Sequence, residues 1–168
     1  ILSLLSGWNM QHTAVIALGS NLSQPAQQIQ AALDELAALP ACRLLQASSL
    51  YLSAPVGYTD QPDFINAVCL LATDLPPHDL LVALHGIESR FGRERSFRNA
   101  PRTLDLDIID FDGRILSEEH LTLPHPRAHE RSFVMLPLAE VAPDYHLPGY
   151  GRAAELAAAL GNDGIRKL

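Results

Sequence analysis

Pro101-Arg102-Thr103-Leu104-Asp105-Leu106-Asp107-Ile108 alternates with period two and reads as a β-strand. Residues two apart on a strand point to the same face, with Cα atoms roughly 6.5–7 Å apart. Asp105 and Asp107 therefore project side by side, in line with Thr103, while Leu104, Leu106 and Ile108 cover the opposite face. Two carboxylates held that way repel each other, and one tends to take up a proton unless a cation is present. A pair of divalent metal ions removes the repulsion and turns the pair into a site. The plainer alternative is two solvent-facing aspartates on an exposed strand. Against it, the Asp face is expected to continue with Ile109 and Phe111, and Asp fits strands poorly.

Immediately upstream the chain is crowded with arginines. Arg90, Arg93, Arg95, Arg98 and Arg102 fall within thirteen residues, opposed there only by Glu94. One acid cannot neutralise five arginines, so beside the Asp pair the cluster is read as an anion site and not merely a solvated loop. Arg suits phosphate oxygens because its fork donates in pairs and stays charged. Metal-holding acids next to anion-holding arginines point to chemistry on a polyphosphate. No Gly-x-x-x-x-Gly-Lys-Ser/Thr segment is present, so any nucleotide must be gripped by side chains instead of a glycine cradle.

The bulk numbers agree with a local site on a globular chain. The 168 residues are enough for one domain with a real core, and 48% hydrophobic with 18% charged residues excludes a disordered chain. A net charge of −7 argues against a general nucleic-acid binder. No apolar run approaches the ~18 residues that span a membrane. Cys42 and Cys69 lie in apolar strand-like runs without metal-type spacing and read as small buried hydrophobes. A reduced, cytoplasmic protein is the expectation. Residues 1–9 are read as an upstream or non-native extension ahead of Met10, leaving 10–168 as a single catalytic domain.

Working back from the Asp strand, the pattern predicts strands at 13–18, 43–51 and 64–73 and helices at 25–38 and 77–91. Asp112-Gly113 predicts a hairpin turn. A short helix from about 127 and a last helix at 152–160, ended by Gly161, follow. The order β-α-β-β-α-β predicts an α+β, ferredoxin-like fold: a mostly antiparallel sheet with helices packed on its faces. The loop 53–62, with two prolines and a glycine, is long enough to be functional.

Three further features bear on a site. Phe64 and Asn66 share a strand face, an aromatic plate beside an amide that suits a flat heterocycle; a core Phe and a turn-facing Asn is the bland alternative. His125, pinned between Pro124 and Pro126 near Arg127 and Arg131, is read either as a phosphate contact or as a structural histidine. Gly149-Tyr150-Gly151-Arg152 imitates a dinucleotide fingerprint but lacks the βαβ context, and is read as a turn opening the last helix.

Four segments in order carry a family resemblance: Ala17-Leu18-Gly19-Ser20-Asn21-Leu22, Gln61-Pro62-Asp63-Phe64-Ile65-Asn66-Ala67, the Pro101–Ile108 strand, and Leu123-Pro124-His125-Pro126-Arg127. Over about 13–160 the chain resembles the 6-hydroxymethyl-7,8-dihydropterin pyrophosphokinases of folate biosynthesis. The resemblance implies transfer of pyrophosphate from ATP to the pterin hydroxymethyl group, leaving AMP. It implies two Mg²⁺ ions held by Asp105 and Asp107, with Arg93, Arg102, Asp105 and Asp107 as catalytic residues. By position it implies a pterin pocket of Ser53, Val56, Gly57, Phe64, Asn66 and Phe133, with the pterin between Phe64 and Phe133. It implies a nucleotide side of Glu88, Arg93, Arg95, Arg98, Arg102, Thr122, His125 and Arg131. The chain departs from the family pattern in a shorter 93–101 loop, in Asn99 where a Trp is usual, in Phe64 for Tyr, and in Pro126 after His125.

Loops 53–62 and 92–100 are expected to close over the substrates, and positioning to carry most of the rate. No residue stands out as a general base. A two-metal phosphohydrolase and a non-catalytic ligand-binding module are the competing readings. The expected partners are small molecules only, with no nucleic acid and no membrane, and the chain is expected to act as a monomer.

Overall fold

The computed structural model describes residues 10–21, 24–55, 60–91 and 104–168. Its centre is β4 (Phe64–Thr73), a ten-residue strand. β1 (His12–Ser20) pairs with β4 along its full length, and β5 (Asp105–Phe111) pairs with the other edge of β1. The opposite edge of β4 is shared by β2 (Cys42–Ala47) and β3 (Tyr51–Ser53), with β10 (Ile165–Lys167) outside β3. All these pairings are antiparallel, so the order β5-β1-β4-β2/β3 is the ferredoxin-like arrangement expected from βαββαβ.

Two helices cross one face. α1 (Pro25–Ala38) starts on a proline whose missing N–H costs nothing at that position. It buries Ile29, Ala32, Leu33 and Leu36, an i, i+3, i+4, i+7 stripe, and stops before Pro40. α2 (Pro77–Arg90) repeats the plan with Leu80, Leu84 and Ile87, an acid in its first turn and Arg90 in its last. These stripes meet Ala14, Ile16 and Leu18 of β1, Ile65, Ala67, Cys69 and Leu71 of β4, and Leu104, Leu106 and Ile108 beside or on β5. On the other face, α3 (Ser132–Val141) and α4 (Ala153–Leu160) pack on Val15, Val68 and Ile109.

Four expectations need correction. The predicted strand 43–51 is two strands, because Ser48 takes over the ladder where they part. Its N–H donates to the Val68 carbonyl (2.8 Å) and its Oγ accepts from the Val68 N–H (3.0 Å). Asp112-Gly113 does form a turn with both φ angles positive, but β5 has no hairpin partner there; β6 (Leu116–Glu118) pairs instead with β7 (Leu121–Leu123). The helix expected from about 127 is a short 3₁₀ turn, Ala128–Glu130, followed by the separate α3. Phe111 does not continue the Asp face: the register shifts between Val15 and Ile16, and Phe111 joins the core under α1 and α2. β8 (His146–Leu147) pairs with β9 (Gly151–Arg152), so the Gly149–Gly151 segment is the turn that leads into α4. β10 carried no pattern strong enough to be expected from three residues.

Candidate active site

Asp105 and Asp107 lie on the α3/α4 face of the sheet, partly exposed, as the alternation requires. Their backs are Leu104, Leu106 and Ile108, at most 4% exposed, so burial of three aliphatic side chains fixes the direction in which both carboxylates point. Asp107 stands opposite Ala17 and Asp105 opposite Gly19. Gly19 stands in turn opposite Asn66, and Asn66 opposite Tyr51. One cross-strand row thus runs Asp105, Gly19, Asn66, Tyr51. Two inter-strand steps put the Cα atoms of Asp105 and Asn66 about 10 Å apart.

Asn66 is 4% exposed and its Nδ2 donates to Ser53 Oγ at 2.6 Å. Ser53 is the register partner of Phe64, so Ser53, Phe64 and Asn66 line one patch. A Cβ added to Gly19 would meet Asn66 Oδ1 at 3.3 Å and Phe64 Cδ1 at 4.0 Å. Gly19 therefore keeps open the ground between the amide and the acid pair. In the sequence Gly19 stands in one of the family segments but carries no sign of this role. Asn21, also missed, is buried and donates from Nδ2 to Gln61 Oε1 (2.7 Å) and the Pro62 carbonyl (3.2 Å), tying the end of β1 to the approach to β4.

His125 follows the cis Leu123–Pro124 peptide, and its N–H donates to the Ile109 carbonyl at 2.8 Å, which fastens it to β5. Burial pushes its imidazole down, to about 4; Arg131 and Arg127 act in the same direction and Asp105 against it. It is neutral at neutral pH. Its Nδ1 accepts from the Arg127 N–H (3.1 Å), so the remaining proton sits on Nε2, a neutral donor. Arg131 lies over the ring of half-buried Phe133, 5.5 Å from its centroid, at the N-terminal end of α3. Asp105, His125, Arg131 and Phe133 are thereby linked in one neighbourhood.

Two expected nucleotide residues sit differently. Glu88 is 2% exposed on α2, and its Oε2 accepts from the Leu106 N–H at 2.8 Å. The carboxylate anchors the backbone between the two aspartates. Thr122 is an exposed residue of β7, which lies beside β5. Val56, Gly57, Arg93, Arg95, Arg98 and Arg102 lie outside the described residues, as do Asn99 with the whole of loop 92–100 and residues 1–9. Among the described residues no helix is long and apolar enough to cross a membrane.

The α+β sheet therefore holds an acid pair and an aromatic–amide patch on one face, two strands apart. The chain belongs to the 7,8-dihydro-6-hydroxymethylpterin-pyrophosphokinase (HPPK) family, whose model matches residues 15–143. It is 50% identical over 153 residues to a Pseudomonas aeruginosa protein named 2-amino-4-hydroxy-6-hydroxymethyldihydropteridine pyrophosphokinase, covering 91% of this chain and 94% of that one. A Haemophilus influenzae protein of the same name is 44% identical, with 93% and 98% covered. The fold is similar to a solved HPPK-DHPS in complex with substrates (TM-score 0.73, 12% identity), over 94% of this chain and 47% of that one. A wild-type Plasmodium falciparum HPPK-DHPS with pterin and p-hydroxybenzoate gives 0.70 at 16% identity, over 88% and 41%. This chain spans about half of those solved chains, and the likeness to them concerns the fold.

Proposed function

We propose that the chain transfers pyrophosphate from ATP to the hydroxymethyl group of 6-hydroxymethyl-7,8-dihydropterin, releasing AMP. The observation that carries this reading is the row Asp105, Gly19, Asn66, which sets a carboxylate pair and a heterocycle-reading amide on adjacent ground with no side chain between.

Mg²⁺ fits the residues present. Asp105 and Asp107 offer oxygen donors on one face, and among the described residues no group of three or more His, Cys, Asp and Glu gathers to form an all-protein cage. Mg²⁺ is commonly held by one or two carboxylates, with the rest of its shell from water and substrate phosphates. Bound there, it screens phosphate charge and aligns the transferring group. Asp105 and Asp107 would hold it.

The other roles belong to the chain itself. Asn66, oriented by Ser53, reads the pterin edge by paired hydrogen bonds, and Phe64 with Phe133 supplies flat apolar walls. His125 donates from Nε2 to a phosphate oxygen without adding positive charge, and Arg131 supplies the charge. Arg93, Arg95, Arg98 and Arg102 complete the nucleotide side in this reading, with Arg93 and Arg102 stabilising charge at the leaving bridge oxygen. Glu88 holds the β5 backbone in place beneath the acid pair.

Incubation with ATP, Mg²⁺ and the pterin tests the proposal. AMP and pterin diphosphate are expected in equal amounts, and only when the pterin is present. Release of inorganic phosphate independent of pterin refutes the reaction in favour of a phosphohydrolase.

A further inference from the structure

Far from the acids, Glu140 sits in the last turn of α3 and gathers donors from β3 and the link that leads into it. Its carboxylate accepts from the Ser49 N–H (3.0 and 3.2 Å), Ser49 Oγ (2.9 Å) and the Tyr51 hydroxyl (2.7 Å). Lys167 Nζ on β10 approaches to 3.8 Å. Burial raises the acid, but the hydrogen bonds from Tyr51 and Ser49 and the charge of Lys167 outweigh it and hold Glu140 below its usual range. The ordinary reading is a surface tie between a helix and a strand.

The position of this tie gives it a further consequence. Glu140 and Phe133 are seven residues apart, so they lie on one stripe of α3, about 10 Å from end to end. Tyr51 and Ser53 are two apart, so they lie on one face of β3. Ser53 is the group that holds Asn66. β3 is only three residues long and pairs with β4 over Tyr51–Ser53 alone. β10 pairs with its other edge over the same three residues, so both ladders fix β3 within the sheet and neither fixes it against α3. The Glu140 carboxylate therefore sets the two strips against each other: Phe133 at one end of the helix stripe, Ser53 and Asn66 at the end of the strand.

We propose that Glu140 is a positioning residue for the pterin pocket, acting through Tyr51 and Ser49 to register Phe133 on α3 against Ser53 and Asn66. The inference rests on the pterin reading above. It separates the two substrates, because the acid pair on β5 is three strands away from β3 and is held by other contacts, including Glu88.

The test uses the full chain with Glu140→Ala, Glu140→Gln and Tyr51→Phe. The last removes one hydroxyl and creates no cavity, so it stands in if the first fails to fold. The KM for the pterin is expected to rise about tenfold in Glu140→Ala, since small misplacements of positioning groups are costly. The KM for ATP stays within about twofold. Glu140→Gln keeps one acceptor for Tyr51 and falls between. Tyr51→Phe shifts the pterin KM in the same direction, and adding it to Glu140→Ala changes little further, as for members of one contact. Equal rises in both KM values, or an unchanged pterin KM in folded variants, overturns the inference while leaving the proposed reaction standing. No pterin-dependent AMP from the unsubstituted chain overturns the reaction and the inference together.

Discussion

Gly19→Ala is the sharpest probe of the central row, because its effects on folding and on binding separate. Gly19 lies within β1 with an ordinary φ, so alanine meets no backbone strain. Restricting the unfolded chain favours folding by ~0.4–1 kcal/mol. The new methyl would sit 3.3 Å from Asn66 Oδ1, closer than most real Cβ contacts, and 4.0 Å from Phe64. Asn66 cannot swing freely, since its Nδ2 is held by Ser53 at 2.6 Å. The amide must retreat by a few tenths of an ångström, at a cost comparable to the entropic gain. The melting temperature is expected to stay within ~3 °C, since about 1 kcal/mol moves a domain of this size by 2–4 °C. The pterin KM is expected to rise on the order of tenfold, the amide being displaced and the open ground filled. The added Cβ meets no atom of Asp105 within 4 Å, so the ATP KM changes much less. Differential scanning fluorimetry and AMP formation at saturating ATP with varied pterin measure both quantities. An unchanged pterin KM at an unchanged melting temperature would refute the claim that Gly19 keeps the pocket open.

Asp105→Ala and Asp107→Ala are each expected to lower turnover by at least ~10²-fold, and chelation of Mg²⁺ to abolish AMP release until the metal is restored; near-normal rates in both variants sink the metal role. Glu88→Ala strips the buried Leu106 N–H of its carboxylate and is expected to cost about 1–3 kcal/mol in chemical denaturation. His125 carries a pH signature with a definite sign. Its folded value of about 4 lies below its ordinary 6.5, so the unfolded chain binds more protons between those limits. Its contribution to stability is full above about 6.5 and is lost as the pH falls toward 4. His125→Gln should flatten the unfolding midpoint against pH over that window, and an unchanged slope counts against the buried neutral imidazole.

What the sequence made legible follows from how many residues each signal averages over. α1, β4 and the acid strand carried long periodic patterns, and the direction of Asp105 and Asp107 followed from three buried aliphatics behind them. Phe111 was misplaced because a bulge is one residue long and inverts the alternation after it. The split between β2 and β3 turned on a single Ser48 side chain replacing a ladder partner, which no pattern of hydrophobicity records. The site divided along the same line. Residues with distinctive chemistry, such as the Asp pair and the Phe64/Asn66 patch, were found. Gly19 and Glu140 were not, because what matters at each is the distance to residues on other elements. Gly19 acts by the side chain it lacks, and Glu140 by joining α3 to a strand some ninety residues earlier in the chain.

The bulge also decides where the third acid of this strand goes. Between Ile108 and Asp110 the extra residue lets Ile109 and Asp110 both turn toward the α3/α4 face. Asp110 is fully buried there, accepting from the Tyr145 hydroxyl and from the Gly113 N–H at 2.9 Å. Burial raises this carboxyl, and those hydrogen bonds only partly offset it. One strand thus carries three acids with two environments. The pair at its open end is exposed enough to meet a cation, whereas the third is closed off beneath α3 and α4 and spent on holding the fold. Strict alternation would send Asp110 to the aliphatic face of Leu104, Leu106 and Ile108; the inserted residue returns it to the acids' own face, and the Tyr145 hydroxyl and Gly113 N–H that meet it there set it apart from the pair.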